Sequence, residues 1–284
     1  MRHVLPPSTA PPAAALRLAG AASRVFGPPP RADRPIAAAT VVRYYADLSG
    51  MYGVPYRGDL LQQPNTFTRM AEELLDDLGL EEPVDVAVIA HATPDADPRE
   101  SAGCRLAHIV PGAPLAFAVS AQGLAAPFTA LRLVADQMAT AGCRTGLVLA
   151  MEQTLMPYDT QVPPRLAPAG DAAVALVVEA TEGTRADGVT VRQMSGIAPA
   201  EARTRLEAEW GGPPGDVTLI PGPGLAGLRP DGARVITPEG GRPCTGIWAA
   251  LAAACRAPAV PARVLAADYE PDLGILSVCE VTHE

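Results

Sequence analysis

Four apolar runs separated by helical patterns constrain this chain more than any other feature. The first, 83-PVDVAVIAHATPD-95, is continuous and rich in β-branched residues, which predicts a strand buried on both faces. Further strands are predicted over 115–121, 145–152 and 171–180, with a short helix over 101–112 and a long amphipathic one over 124–142. Upstream, 65-NTFTRMAEELLDDLGL-80 spaces Phe67, Met70, Leu74, Leu75 and Leu78 along one helical face, with Asn65 as its expected N-cap. Strands that alternate with helices need helices on both faces of the sheet, so the class is α/β.

The second half repeats this grammar in shorter form. Strands are expected at 189–197, 217–222, 262–270 and 273–281, and helices at 199–210 and 244–255. The repetition points to a duplicated architecture, an N-terminal half over 1–180 and a shortened C-terminal half over 181–284. Residues 1–64 are rich in Pro, Ala and Gly and read as one early strand plus loops.

Bulk properties exclude several function classes. A chain of 284 residues, 48% hydrophobic and 19% charged, has the profile of a globular protein with a large core. Its net charge of −9 disfavours nucleic acid and anionic membrane as partners. No run approaches a membrane span, and the start of the chain, broken by prolines and arginines, lacks a signal-peptide core, so a cytoplasmic location is expected. The five cysteines form no CxxC pair and the four histidines are dispersed, so neither a disulfide framework nor a metal site is expected, and no cofactor is implied. There is no lysine, which removes Schiff-base chemistry and a lysine base.

The stretch 119-VSAQGLAAPF-128 is a strand feeding sharply into a helix start, where many α/β enzymes hold a nucleophile. No thiol follows the strand. Together with 71-AEELLDDLGLEEPVDVAVIAHATPD-95, 101-SAGCRLAHIVPG-112, 127-PFTALRLVADQMATAG-142, 146-GLVLAMEQ-153 and 170-GDAAVALVV-178, it resembles the ketosynthase III branch of the thiolase superfamily. The resemblance implies a five-layered α-β-α-β-α fold of two similar halves with mixed five-stranded sheets. It also implies a dimer formed through the strand before the nucleophile helix.

The family's catalytic set is a cysteine at that helix start, a histidine in the second half, and an asparagine before the next long helix. Carried over by the resemblance, the cysteine position falls within Gln122, Gly123, Leu124 and Ala125, the histidine position at Gly222, and the asparagine position near Pro243. All three side chains are missing. The replaced nucleophile resembles that of the chain-length-factor partners of type II ketosynthases. The length and the losses are similar to those of the silent subunit of the heterodimeric alkylquinolone-forming condensing enzyme. The family's coenzyme A entrance, an acidic-Trp stretch with an Arg-Thr-Gly turn, is also missing from 40-TVVRYYADLSGMYGVPYRGD-59.

Each remaining candidate has two readings. Gln122 either mimics an acylated cysteine or satisfies backbone groups at the helix start. Cys244, at a predicted helix N-terminus that lowers a thiol pKa, is either a relocated nucleophile or a buried structural residue. Ser120 is a substitute nucleophile without an evident base. Cys104 and Cys143 read as core, His91 and Glu152 as structural, His108 as half-exposed, and Asp171 as a holder of loop backbone. By the resemblance, Arg99 occupies the position that reaches across the dimer axis into the partner's acyl tunnel; its alternative is a solvated loop arginine.

Two functions follow. The first is a non-catalytic subunit that pairs with an active ketosynthase III-like enzyme, in a heterodimer or heterotetramer, and completes that partner's acyl tunnel in specialised acyl or polyketide metabolism. An acyl-carrier protein would reach such a complex through the partner. Phe117, Val119, Phe128 and Leu131 would be buried at the interface, and the isolated chain would be a homodimer or poorly soluble. The second is a self-sufficient acyltransferase or thioester hydrolase using Cys244 or Ser120.

Overall fold

In the first half, strand β1 (Ala15–Phe26) is followed by helices α1 (Ala39–Gly50) and α2 (Phe67–Leu78), then β2 (Val86–His91) and α3 (Ala102–Ile109). Strand β3 (Leu115–Val119), helix α4 (Ala126–Ala141), β4 (Thr145–Glu152) and β5 (Asp171–Thr181) complete it. The second half runs β6 (Gly188–Met194), α5 (Pro199–Glu209), β7 (Val217–Pro221), β8 (Arg234–Val235), α6 (Gly246–Cys255), β9 (Arg263–Glu270) and β10 (Ile275–Thr282). This computed structural model describes residues 15–28, 39–57, 65–97, 101–156, 162–181, 188–209, 217–230 and 232–283.

The strand order is β3-β2-β4-β5-β1-β6-β10-β9-β7-β8. Reading inward from each end gives the same internal order in both halves, third, second, fourth, fifth, first. The pairing sense repeats as well: β2 is parallel to β3 and β4, as β7 is to β8 and β9, while the remaining pairs are antiparallel. One residue pair, Leu16 with Val189, joins β1 to β6 and links the two five-stranded units.

Burial accounts for the layers. Phe128, Leu131 and Val134 of α4 and Ile247, Trp248 and Leu251 of α6 share one core with Val88, Val148 and Val174 of the first half and Val264, Ala266 and Cys279 of the second. These two helices therefore form the central layer, and the Phe128 and Trp248 rings meet edge to face at 4.7 Å. On the outer face of the first half, Leu74 of α2 and Leu106 of α3 pack on Ile89 and Leu147. On the outer face of the second, Leu206 of α5 packs on Leu219 and Leu265. The result is the five-layered arrangement expected above. Strands β2 and β4 are buried along almost their whole length because helices cover both sides. Among the described residues no helix is long and apolar enough to cross a membrane.

Several local expectations are corrected. Helix α1 occupies a region read as loop, because 39-ATVVRYYADLSG-50 sets β-branched and aromatic residues side by side without a clean apolar stripe. Thr66, not Asn65, caps α2: its hydroxyl accepts from the Arg69 amide at 3.1 Å. Asn65 instead donates to Gly27 O and to Asp171, at 2.9 and 2.8 Å. Helix α6 begins at Gly246, so Cys244 precedes it. Cys104 is exposed, and Cys143 is half-buried beyond the end of α4.

Candidate functional site

Three turns meet where the central helices begin, and each is held by a buried carboxylate. The first follows β3. Ala121 and Gly123 both have positive φ, 59° and 51°, and a 3-10 turn over Gly123–Ala125 leads into α4, with Pro127 in its first turn. Glycine suits position 123 because, with Glu270 where it stands, a β-carbon would lie 2.0 Å from Glu270 Oε2, besides straining a left-handed backbone. That same oxygen accepts the Leu124 amide at 2.9 Å. Glu270, at the end of β9 and 1% exposed, accepts through Oε1 from Arg165 Nη2 and from the Asp272 amide, both at 3.1 Å. Gln122 is bound within the chain: its Oε1 accepts the Thr129 hydroxyl at 2.5 Å. Gln193 Nε2 extends this network to Thr129 and Ser277, at 3.0 and 3.2 Å.

The second turn follows β7. Here 222-GPGLAG-227 spells G-x-G-x-x-G, correcting the expectation that the sequence carries no such motif. It opens a three-residue 3-10 turn, Pro223–Leu225, and no helix, so it lacks the helix N-terminus that makes this spelling a phosphate cradle. Its glycines answer a different need. A β-carbon on Gly222 would lie 2.1 Å from Asp268 Oδ2, and one on Gly224 would lie 1.8 Å from the Tyr269 carbonyl oxygen. Asp268 Oδ1 accepts the Gly224 and Tyr269 amides, each at 2.8 Å. Burial, reinforced by the nearby Glu270 carboxylate, pushes the Asp268 carboxyl up to about 8.

The third turn precedes α6. Glu152, closing β4, accepts the Cys244 amide at 2.8 Å and the Thr245 hydroxyl in a short contact. Burial lifts this carboxyl to about 7 despite those donors. Cys244 Sγ lies 3.7 Å from the Ala90 carbonyl oxygen. Burial, and then the Glu152 charge, push the Cys244 thiol up, the reverse of the lowering expected at a helix start. Among the described residues no three of the His, Cys, Asp and Glu side chains are arranged to hold a metal ion.

No family model and no curated protein matches this sequence. Solved structures do. AbyA1, a tetronic acid condensing enzyme, aligns over 94% of this chain and 100% of its own, with TM-score 0.62 and 18% identity. The 3-oxoacyl-(acyl carrier protein) synthase III FabH of Pseudomonas aeruginosa PAO1 aligns over 94% and 98%, with TM-score 0.55 and 18% identity. OleA of Xanthomonas campestris aligns over 95% and 98%, with TM-score 0.56 and 14% identity. The fold is thiolase-like. At these identities the likeness is one of architecture, the duplicated sheet and five layers described above.

Within the thiolase-like frame, the remaining expected residues scatter. Ser120 is exposed and makes no hydrogen bond to a described residue. Strand β3 is an edge strand, on which Leu115 is 57% exposed, Ala118 exposed and Phe117 half-buried. Phe128 and Leu131 do not reach that edge; they are buried in the chain's own central core, as is Val119. Their placement on the interface is thereby corrected: α4 is a central helix, wrapped by both halves. Asp171 does hold loop backbone, accepting the Thr154 amide at 2.7 Å. His91 hydrogen-bonds the Thr93 carbonyl through Nδ1 at 2.7 Å, and burial lowers its pKa. His108 is exposed rather than half-exposed. Arg99 lies outside the described residues. Glu270 and Asp268 dominate the site, yet the sequence pattern marks them merely as parts of a closing strand. The signal available is acid alternating with apolar residues in a strand that is otherwise buried.

Proposed function

We propose that this chain is a catalytically degenerate ketosynthase III-like subunit. It pairs in the cytoplasm with an active ketosynthase III-like acyl-condensing or acyl-transferring enzyme and completes that enzyme's acyl tunnel, in specialised acyl or polyketide metabolism. One observation carries the reading. The carboxylates of Glu270 and Asp268 stand where side chains on Gly123 and Gly222 would have to begin. Gly123 lies within the stretch Gln122–Ala125 to which the resemblance assigns the family's cysteine, and Gly222 is the position it assigns to the histidine. Neither glycine accepts a side chain while the acids are in place, which supports a turn shaped by packing rather than by thioester chemistry.

The neighbours in fold lend support: AbyA1 is a condensing enzyme and ChlB3 is described as an acyltransferase. Pairing is supported by β3, whose outer edge has no partner strand among the described residues. An open edge with exposed Leu115 and Ala118 suits addition of a strand from a second thiolase-like chain. Against the displaced-nucleophile alternative stand the 1% exposure of Cys244 and the burial that pushes its thiol up.

The test is co-expression with an intact homologue carrying Cys, His and Asn, followed by size exclusion and intact-mass analysis after incubation with acyl-coenzyme A. The expected result is one complex in which the partner alone gains an acyl group. A stable acyl adduct on this chain would overturn the proposal.

A further inference from the structure

The loop after Gly222 closes around a cavity that the subunit reading leaves unused. It has a volume of about 380 Å³ and is lined by Arg165, Gly222, Arg229, Thr237, Glu239 and Arg242, among others. That size falls in the range of small-molecule sites and far exceeds a single inorganic anion. Three arginines from separate stretches of the sequence line it, in a chain whose net charge is −9.

Their existing partners differ. Arg165 is neutralised by Glu270 and Asp272, and Arg242 by Glu239 at 3.1 Å. Arg229 donates to the Leu228 carbonyl at 2.9 Å and the Thr237 hydroxyl at 3.0 Å, both neutral, and has no carboxylate partner among the described residues. Among the described residues it is the arginine of this cavity that no carboxylate compensates. Around it the wall is Pro221, Pro223, Ala226 and Pro238, apolar and rigid.

We propose that this cavity binds a small organic oxyanion, a carboxylate or phosphate monoester, with its charged head on Arg229 and its short apolar body against the proline wall. A planar guanidinium fork suits both heads, since each presents two oxygens to parallel N–H donors. The isolated chain suffices for the test, so the outcome is independent of pairing with an active enzyme.

The experiment is isothermal titration calorimetry of the purified chain with hexanoate, hexyl phosphate, hexanamide and inorganic phosphate at low ionic strength. The expected result is saturable binding of hexanoate or hexyl phosphate, at least tenfold tighter than hexanamide or inorganic phosphate. Arg229 is exposed, so Arg229→Gln should fold normally by circular dichroism and weaken the anion tenfold or more. Arg229→Lys, which keeps the charge and loses the fork, should fall between. Equal binding of hexanoate and hexanamide, no binding of either organic anion at millimolar concentration, or unchanged affinity in both variants would overturn the proposal. Inorganic phosphate binding as tightly as hexyl phosphate would overturn the organic part of it.

Discussion

Glu270 Oε2 accepts the Leu124 amide at 2.9 Å while lying 2.0 Å from the place that a β-carbon on Gly123 would take. One carboxylate thus both caps the turn into α4 and fills the space that a side chain at position 123 would need. The same logic recurs at Asp268 and Gly222, so two glycine turns are closed from the end of a single strand, β9.

The packing makes Gly123 and Glu270 interdependent. Gly123→Ala should lower stability by about 3 kcal/mol, combining a strained left-handed alanine with overpacking. Glu270→Ala should cost about the same, since it leaves Arg165 and the Leu124 amide short of a buried partner. The double variant should be more stable than the sum of the two losses by about 1 kcal/mol or more, because the second change makes room for the first. Denaturant unfolding of the four proteins measures this. Simple additivity would mean that the two residues do not compete for one space.

Asp268 gives the fold a pH dependence of definite sign. Its carboxyl titrates near 8 in the folded chain against an ordinary value of 3.8, so the folded state holds a proton that the unfolded state has released. The resulting stabilisation is full below the unfolded value and is lost as pH rises through the folded one. Asp95 and Glu152, raised to about 6 and about 7, complete most of their losses at lower pH. Between pH 7 and 9 the parent should therefore lose about 1 kcal/mol more than Asp268→Asn, roughly 2–4 °C in melting temperature. Parallel thermal melts across that interval provide the check, and identical slopes would contradict the assignment.

The cysteines should separate cleanly by accessibility. Iodoacetamide at about pH 7.5, under native conditions, should modify Cys104 first and leave Cys244 and Cys279 untouched, since both are buried and burial pushes their thiols up. Denaturation should expose all five. Peptide mass mapping reads the order, and rapid native labelling of Cys244 would restore it as a nucleophile.

Core and edge positions should respond differently to substitution. Phe128→Ala, which empties the contact with Trp248, should cost the isolated chain about 3–5 kcal/mol. Ala118→Arg, on the exposed face of β3, should leave the melting temperature of the isolated chain nearly unchanged and prevent co-elution with the intact homologue proposed as its partner. Size exclusion with thermal melts distinguishes the two; normal co-elution of Ala118→Arg would place the interface elsewhere.

Much of the fold is legible along the chain because burial writes itself into composition. Strands β2, β4 and β5 read as continuous apolar runs, since layers on both sides exclude water from both faces. Helix α2 reads as an amphipathic stripe, since one side packs and the other is solvated. Helix α1 does not, because its pattern is not a stripe. For Phe128 and Leu131 the sequence misleads about the surface they join, because an apolar helix face gives no indication of whether its own chain or another covers it.

The order of strands and helices, the absence of a thiol, imidazole and carboxamide at the expected turns, and the acidic charge were properties of the sequence alone, since each depends on residue identity or local periodicity. What packs against the glycines of those turns was decided by tertiary structure. Glu270 meets Gly123, and Asp268 meets Gly222, only after β9 is threaded beside β7 and under the start of α4. Contacts between residues so far apart in the chain arise from the packing of whole layers, and no local pattern of amino acids encodes them.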